Sequence, residues 1–282
     1  MCGWQTHRVG HMQENASEEI PGAISPGRFL RNWHGGPIAV PQHLKGFGGL
    51  HGGLALALLT AAMQEKAPGA ELVSVIGRFG RTIDAPLRIT TELTHAGRSS
   101  TIVSGRAESD RGPLLDSWAV FAPSGGDVSW PEVSIPIPEV PGPEECEPFA
   151  IPKEFLPITT SMEIRPVGSS RPYAGGEEAE LVAWVRLVED DSPPDVLRFV
   201  FLMDALAPSY AAVLSTLALV PTVELTVRPG AGLAKASSPW LLLRATTRQA
   251  ATSGWSVEWI DAWDAAGAHL GSAQQLRMVR TG

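Results

Sequence analysis

The sequence predicts an α+β protein assembled from two copies of one unit, each a sheet wrapped around a long central helix. Three observations carry that prediction. The first is an apolar, helix-like stretch from Gly53 to Met63, followed by "ELVSVIGRFGRTIDAPLRITTELTHAG" and "SSTIVSGRAESDRGPLLDSWAVF", which read as strands joined by short turns. The second is a repeat of that order: "FLMDALAPSYAAVLSTLALV", then "PTVELTVRPGAG", "PWLLLRATTRQA", "GWSVEWIDAWDAAGAHL" and "GSAQQLRMVR". The third is a pair of D…G…L turns, Asp110–Leu115 and Asp264–Leu270, offset by about 155 residues. Each unit buries its helix against its own sheet and the two pair edge to edge, which describes a double hot-dog architecture.

The elements follow in order. Residues 1–25 are polar and mixed and read as a leader or arm. Residues 26–122 hold the first unit and 158–282 the second. Between them, 123–157 is a Pro-rich linker, because prolines remove donors and are expelled from helix interiors and central strands. The uncharged run from Ala205 to Val223 contains Pro208, Ser209, Tyr210 and Pro221 and reads as a buried core helix, not a membrane span. In "WSVEWIDAW" the tryptophans at 255, 259 and 263 fit a helix face or two pleats of a strand. The flanking Gly254 and Gly267 and the β-like counterpart "TIVSGRAES" favour the strand, with the tryptophans in the core.

Composition narrows the function. The chain has 282 residues, 44% hydrophobic and 18% charged, with a formal net charge of -8. That is a globular composition, and with no basic cluster it excludes nucleic acid as the expected partner. Cys2 and Cys146 are too few for a disulfide framework or a metal site, and no signal-peptide core is present, so a reducing cytoplasm is expected. No G-x-S-x-G elbow or G-x-x-x-x-G-K-[ST] loop occurs, and the histidines lack metal-ligand spacing.

What remains is the start of each helix, where free N–H groups and the positive dipole end can polarise a carbonyl or hold an anion. In the first half this places His51, Gly52 and Gly53 as candidate substrate-binding residues, the glycines permitting close approach to backbone. The alternative is that the glycines serve helix–sheet packing and that His51 is a hydrogen-bonded turn residue. In the second half Asp204 sits at the expected helix start, either as an ordinary cap or as a reactive carboxylate. Thr222 opens the strand after that helix and Gln275 lies in the last strand; a carboxylate, a hydroxyl and a carboxamide could converge on a water there.

"W…GFGGLHGGLALALL" together with "FLMDALAPS", "VPTVELTVR" and "SAQQLRMVR" resembles the type II acyl-CoA thioesterases, the TesB-like double hot-dog group, over about Arg28 to Arg280. The resemblance implies hydrolysis of acyl-CoA, or of a related acyl-pantetheine, by a water that Asp204, Thr222 and Gln275 orient. Asp204 is then the base and Gln275 a positioner, since a carboxamide does not usefully accept a proton. It implies no cofactor, a place in lipid metabolism and a homo-oligomer. Departures are visible: "FGRT" at Phe79–Thr82 replaces an F-L-R-P-like stretch, and Thr60 stands where single hot-dog thioesterases carry an acid. Val120 stands at the repeat position of Gln275, so the first half lacks the amide. Two other readings keep the fold: a thioester hydratase or dehydratase, and a non-hydrolytic acyl- or polyketide-binding or cyclase-like protein.

Overall fold

The computed structural model describes residues 23–32, 36–124 and 131–280. Residues 1–22 of the expected arm lie outside them, Cys2 included. The chain opens with α1 (Pro26–Arg31), whose first turn is capped by the Ser25 hydroxyl accepting from the Arg28 N–H at 3.4 Å. The helix α2 (Gly52–Gln64) follows. Its alternating leucines and alanines are strong helix formers and apolar all round, and ten of its thirteen residues are buried accordingly. Thr60, the one polar side chain deep in α2, satisfies itself by donating to the Leu56 carbonyl at 2.7 Å.

Four strands complete the first half: β1 (Ala70–Phe79), β2 (Arg88–Ala96), β3 (Thr101–Ser109) and β4 (Gly112–Pro123). The second half begins with β5 (Met162–Pro166) and β6 (Glu180–Leu187), then α3 (Val196–Leu202). It closes with β7 (Thr222–Pro229), β8 (Leu241–Ala250), β9 (Trp255–Asp264) and β10 (His269–Met278). All ten strands form one sheet in the order β2-β3-β4-β1-β7-β10-β9-β8-β6-β5. The halves join edge to edge where β1 and β7 pair antiparallel, from Val75 opposite Val227 to Arg78 opposite Glu224. The inner face of this sheet and the helices share one core, in which Leu54, Leu56 and Leu58 of α2 meet Phe199 and Phe201 of α3 and Leu225, Leu243 and Ala273 of the second sheet half. Each such fully buried side chain contributes roughly 1.5–3 kcal/mol by leaving water. Among the described residues no helix is long and apolar enough to cross a membrane.

The second half departs from expectation at its helix. The run Ala205–Val223 is not helical throughout: α3 ends at Leu202, a short 3-10 turn covers Ser209–Val213, and β7 starts at Thr222. Pro208 and Pro221 remove backbone donors that a continuous helix needs. The true helix start is Asp195, whose carboxylate accepts from the N–H groups of Leu197 at 3.0 Å and Arg198 at 2.9 Å. Asp204 therefore follows its helix instead of preceding it.

The strand reading of "WSVEWIDAW" holds, but the tryptophans are not all core. Trp255 and Trp259 are 38% and 36% exposed on the outer face, with the Arg248 guanidinium 4.8 Å over the Trp259 ring. Only Trp263 is buried, in a second cluster with Trp184, Trp240 and Leu242 on the outer side of the sheet. The Pro-rich stretch covers that cluster with Ile137, Val140 and Cys146. The indole N–H groups of Trp184 and Trp263 donate to the carbonyls of Pro141 and Ile135, both at 2.8 Å. A segment short of N–H donors is thus held by its carbonyls.

The repeat alignment also shifts. On β4 the inward residues are Ser117, Ala119 and Phe121, while Val120 alternates to the outer face. A slip of one residue in the alignment exchanges the faces of a strand. The inward counterparts of Gln275 in the first half are still without a carboxamide.

Candidate active site

The ends of α2 and α3 meet at the centre of the molecule, and the polar candidates from both halves meet with them. His51 is the N-cap residue of α2 but makes no side-chain capping bond. The need of that helix start for an acceptor is met from the other half: the Gly53 N–H donates to Asp204 Oδ2 at 2.8 Å. Such closeness requires glycine. A Cβ on Gly53 would stand 2.5 Å from the Phe201 carbonyl oxygen and 2.7 Å from Asp204 Cβ, and one on Gly52 would stand 2.9 Å from Asp204 Oδ2.

The other Asp204 oxygen faces the sheet. Gln275, fully buried on the inner face of β10, donates from Nε2 to Asp204 Oδ1 at 3.0 Å. Its Oε1 accepts from the Thr222 hydroxyl at 2.7 Å. Asp204, Thr222 and Gln275 therefore form one continuous hydrogen-bonded chain, although they lie on a post-helix turn, a strand start and a distant strand. His51 completes the group without a hydrogen bond: its Nδ1 lies 3.8 Å from Asp204 Oδ2, and its ring meets the edge of Phe201 at 5.3 Å between centroids. Its Nδ1 is buried without a partner. Burial holds the imidazole below its ordinary titration range, against the opposing pull of the Asp204 charge.

Two charged residues that sequence reasoning did not single out complete the surroundings. Arg277, two residues after Gln275 on the same face of β10, donates from Nη1 to Thr222 Oγ1 at 2.9 Å. Its Nη2 stands 3.9 Å from Asp204 Oδ1 and 3.1 Å from Glu258 Oε1. Glu258 is 1% exposed and also accepts from the Ser209 backbone N–H. The signal for both was the strand period. If the tryptophans of β9 share one face, Glu258 must share the other with Gln275, its partner in the β9–β10 register.

A cleft of about 320 Å³ opens where β1 and β7 part beyond the Arg78–Glu224 pair, lined by Phe79, Gly80, Val223 and Leu276 among others. Val223 and Leu276 adjoin Thr222 and Gln275 in the chain, and the Phe79 ring lies 3.5 Å from the place a Gly52 Cβ would occupy.

Comparisons with known proteins agree with this arrangement of halves. Residues 40–122 match the acyl-CoA thioesterase N-terminal domain, and residues 143–279 match the acyl-CoA thioesterase C-terminal domain. No curated protein matches the chain. Among solved structures, a conserved hot-dog-fold protein from Alicyclobacillus acidocaldarius is 21% identical with a TM-score of 0.78, over 87% of this chain and 93% of that one. A candidate thioesterase II from Thermobifida fusca is 23% identical with a TM-score of 0.75, over 87% and 92%. The acyl-CoA thioesterase II TesB2 from Mycobacterium marinum is 18% identical with a TM-score of 0.64, over 82% and 89%. At these identities the structures establish the fold, while the two domain matches, in N-terminal to C-terminal order across most of the chain, establish the family. The chain belongs to the acyl-CoA thioesterases, as a thioester-hydrolysing enzyme of two hot-dog halves.

Proposed function

We propose that the chain hydrolyses acyl-CoA thioesters to free acid and coenzyme A with a water oriented by Asp204, Thr222 and Gln275. The observation that carries this reading is the unbroken chain from the Thr222 hydroxyl through the Gln275 amide to Asp204, ending at the start of α2. Asp204 takes a proton from water as the oxygen adds to the thioester carbonyl. The tetrahedral oxyanion lies at the positive end of α2 and accepts from backbone N–H. Gly53 already commits its N–H to Asp204, so the first amide of the helix, at Gly52, serves the oxyanion. Collapse expels the thiolate, which takes up the proton, and no covalent intermediate forms.

The reading carries its remaining expectations with it. The enzyme needs no cofactor, acts on acyl-CoA or acyl-pantetheine in lipid metabolism in the cytoplasm, and works as a homo-oligomer. The units are 26–122 and 158–282, joined by 123–157.

Release of free thiol from short, medium and long acyl-CoAs, by the wild type and Asp204→Asn, tests it. Asn keeps the shape and removes the base, so kcat is expected to fall by about 10²-fold or more. Release undiminished in Asp204→Asn overturns the assignment. One observation favours a second reading: His51 beside Asp204 brings an imidazole and a carboxylate together at a helix start, an acid–base pair that could add water across the double bond of an enoyl thioester. Conversion of an enoyl-CoA without thiol release would select that reading.

A further inference from the structure

We propose that Arg277 is a positioning residue that sets the direction of the hydrogen bonds running from Thr222 through Gln275 to Asp204, an inference that rests on the hydrolytic reading above. A hydroxyl and a carboxamide can each donate and accept, so Thr222 and Gln275 alone do not determine which way their chain runs. Arg277 removes that freedom, because a guanidinium only donates. Its Nη1 donates to Thr222 Oγ1 at 2.9 Å. The Thr222 hydrogen is thereby directed to Gln275, 2.7 Å away, which must present Oε1 to receive it. The Gln275 amide group is then turned toward Asp204 Oδ1 at 3.0 Å. With Gly53 N–H on Oδ2, both carboxylate oxygens are acceptors, and Asp204 faces substrate as a base.

The guanidinium is itself fixed. Glu258 accepts from Arg277 Nε at 3.1 Å with Oε1 and from the Ser209 N–H with Oε2. Arg277 also donates to the Val220 carbonyl at 3.4 Å, two residues before Thr222. At 5% and 1% exposure, this pair is almost shut off from bulk solvent and cannot reorient cheaply. Without Arg277 the Thr222 hydroxyl is free to accept from the Gln275 amide. The flipped amide would set Oε1 against the Asp204 carboxylate, a repulsive contact that displaces the base.

The test is a double-mutant cycle on thiol release from an acyl-CoA, with kcat and KM measured for wild type, Arg277→Gln, Thr222→Val and the double variant. Because Arg277 acts through Thr222, the expected losses in kcat are about tenfold for each single variant and no greater for the double than for Thr222→Val, with KM changed less than about twofold. Arg277→Lys, which still donates, restores part of the rate. Losses that multiply, or a folded Arg277→Gln with wild-type kcat, overturn the proposal. Arg277→Gln leaves Glu258 buried and unpaired, so thermal melting accompanies each variant. If it does not fold, Glu258→Gln/Arg277→Gln enters the cycle in its place with the same expectations, and failing that Arg277→Lys, whose smaller loss must likewise vanish in the Thr222→Val background. Asp204→Asn is run alongside: thiol release undiminished there overturns the assignment of Asp204 as base, on which the role of Arg277 rests. An inactive Asp204→Asn beside an unimpaired Arg277→Gln removes only the role of Arg277.

Discussion

Gly53→Ala sets two effects of known sign against each other at one residue. Intrinsic helix propensity favours the change by up to about 1 kcal/mol. Packing opposes it, since the new methyl would lie 2.5 Å from the Phe201 carbonyl oxygen and 2.7 Å from Asp204 Cβ. Neither obstacle is a flexible side-chain tip: one is backbone and the other is the root of the proposed base. Restoring an ordinary contact of about 3.4 Å requires α2 and the end of α3 to separate by about 0.9 Å. Overpacking of this kind costs about 1–3 kcal/mol, so the net change is destabilising by about 1–2 kcal/mol, or a few degrees in Tm. The same displacement stretches the 2.8 Å bond from Gly53 N–H to Asp204 and moves the carboxylate relative to the helix start. A misplacement near 1 Å costs up to about 10²-fold in rate. Thermal melting and thiol-release kinetics on one preparation decide the matter: kcat is expected to fall far more than stability does. A variant that melts higher than wild type at unchanged kcat would refute the argument that this contact sets the site.

Three further expectations follow from other parts of the molecule. Burial holds the His51 imidazole below its ordinary range, so the folded state binds fewer protons than the unfolded chain as pH drops past about 6.5. The stability this preserves is complete above that pH and is lost below it, so Tm between pH 7.5 and 5.5 should fall more in wild type than in His51→Gln; equal losses would contradict it. Trp263→Phe deletes the N–H that holds the Ile135 carbonyl together with the five-membered ring of a buried indole, at a cost of about 1–3 kcal/mol, and should speed proteolysis within residues 131–157. An unaltered cleavage rate would mean that the indole does not anchor this stretch. Leu58→Ala, at a residue 1% exposed in α2, should cost about 2–5 kcal/mol by urea denaturation, and a loss below 1 kcal/mol would show that the core closes around the gap.

The sequence made the first half legible because its signals agree. The helix α2 is apolar, free of proline and bounded by a double glycine, and the strands after it are separated by recognisable turns. In the second half, periodicity could not divide one continuous apolar stretch into a seven-residue helix, a 3-10 turn and a loop. The informative residue was Asp195, outside that stretch, whose carboxylate marks the helix start. For the site, residue types pointed to Asp204, Thr222 and Gln275, but types do not give neighbours. Glu258 and Arg277, as charged residues in strands, carry no mark of burial. Only the register that sets Gln275 opposite Glu258, and the alternation that puts Arg277 on the same face, reveals them as the support beneath the triad.

A choice between the two helix starts is too narrow, because neither half contains all of the proposed site. The helix α3 caps itself with Asp195, whereas α2 begins at a histidine that makes no capping bond and at glycines that bring no side chain. That deficiency in the first half is what allows Asp204 of the second to approach to 2.8 Å and bond the Gly53 N–H. Conversely, the inward face of β4 offers Ser117, Ala119 and Phe121 where β10 offers Gln275 and Arg277, so the first half could not orient a carboxylate of its own. One copy supplies the exposed helix dipole and the close backbone, the other the acid, the amide, the hydroxyl and the buried ion pair that holds them. Each copy carries what the other lacks, and the edge-to-edge pairing of β1 with β7 fixes the two sets of residues against each other in one core. An isolated half, even if folded, would therefore present either an uncapped helix or a carboxylate without its partner amide N–H, and neither arrangement positions a water against a carbonyl.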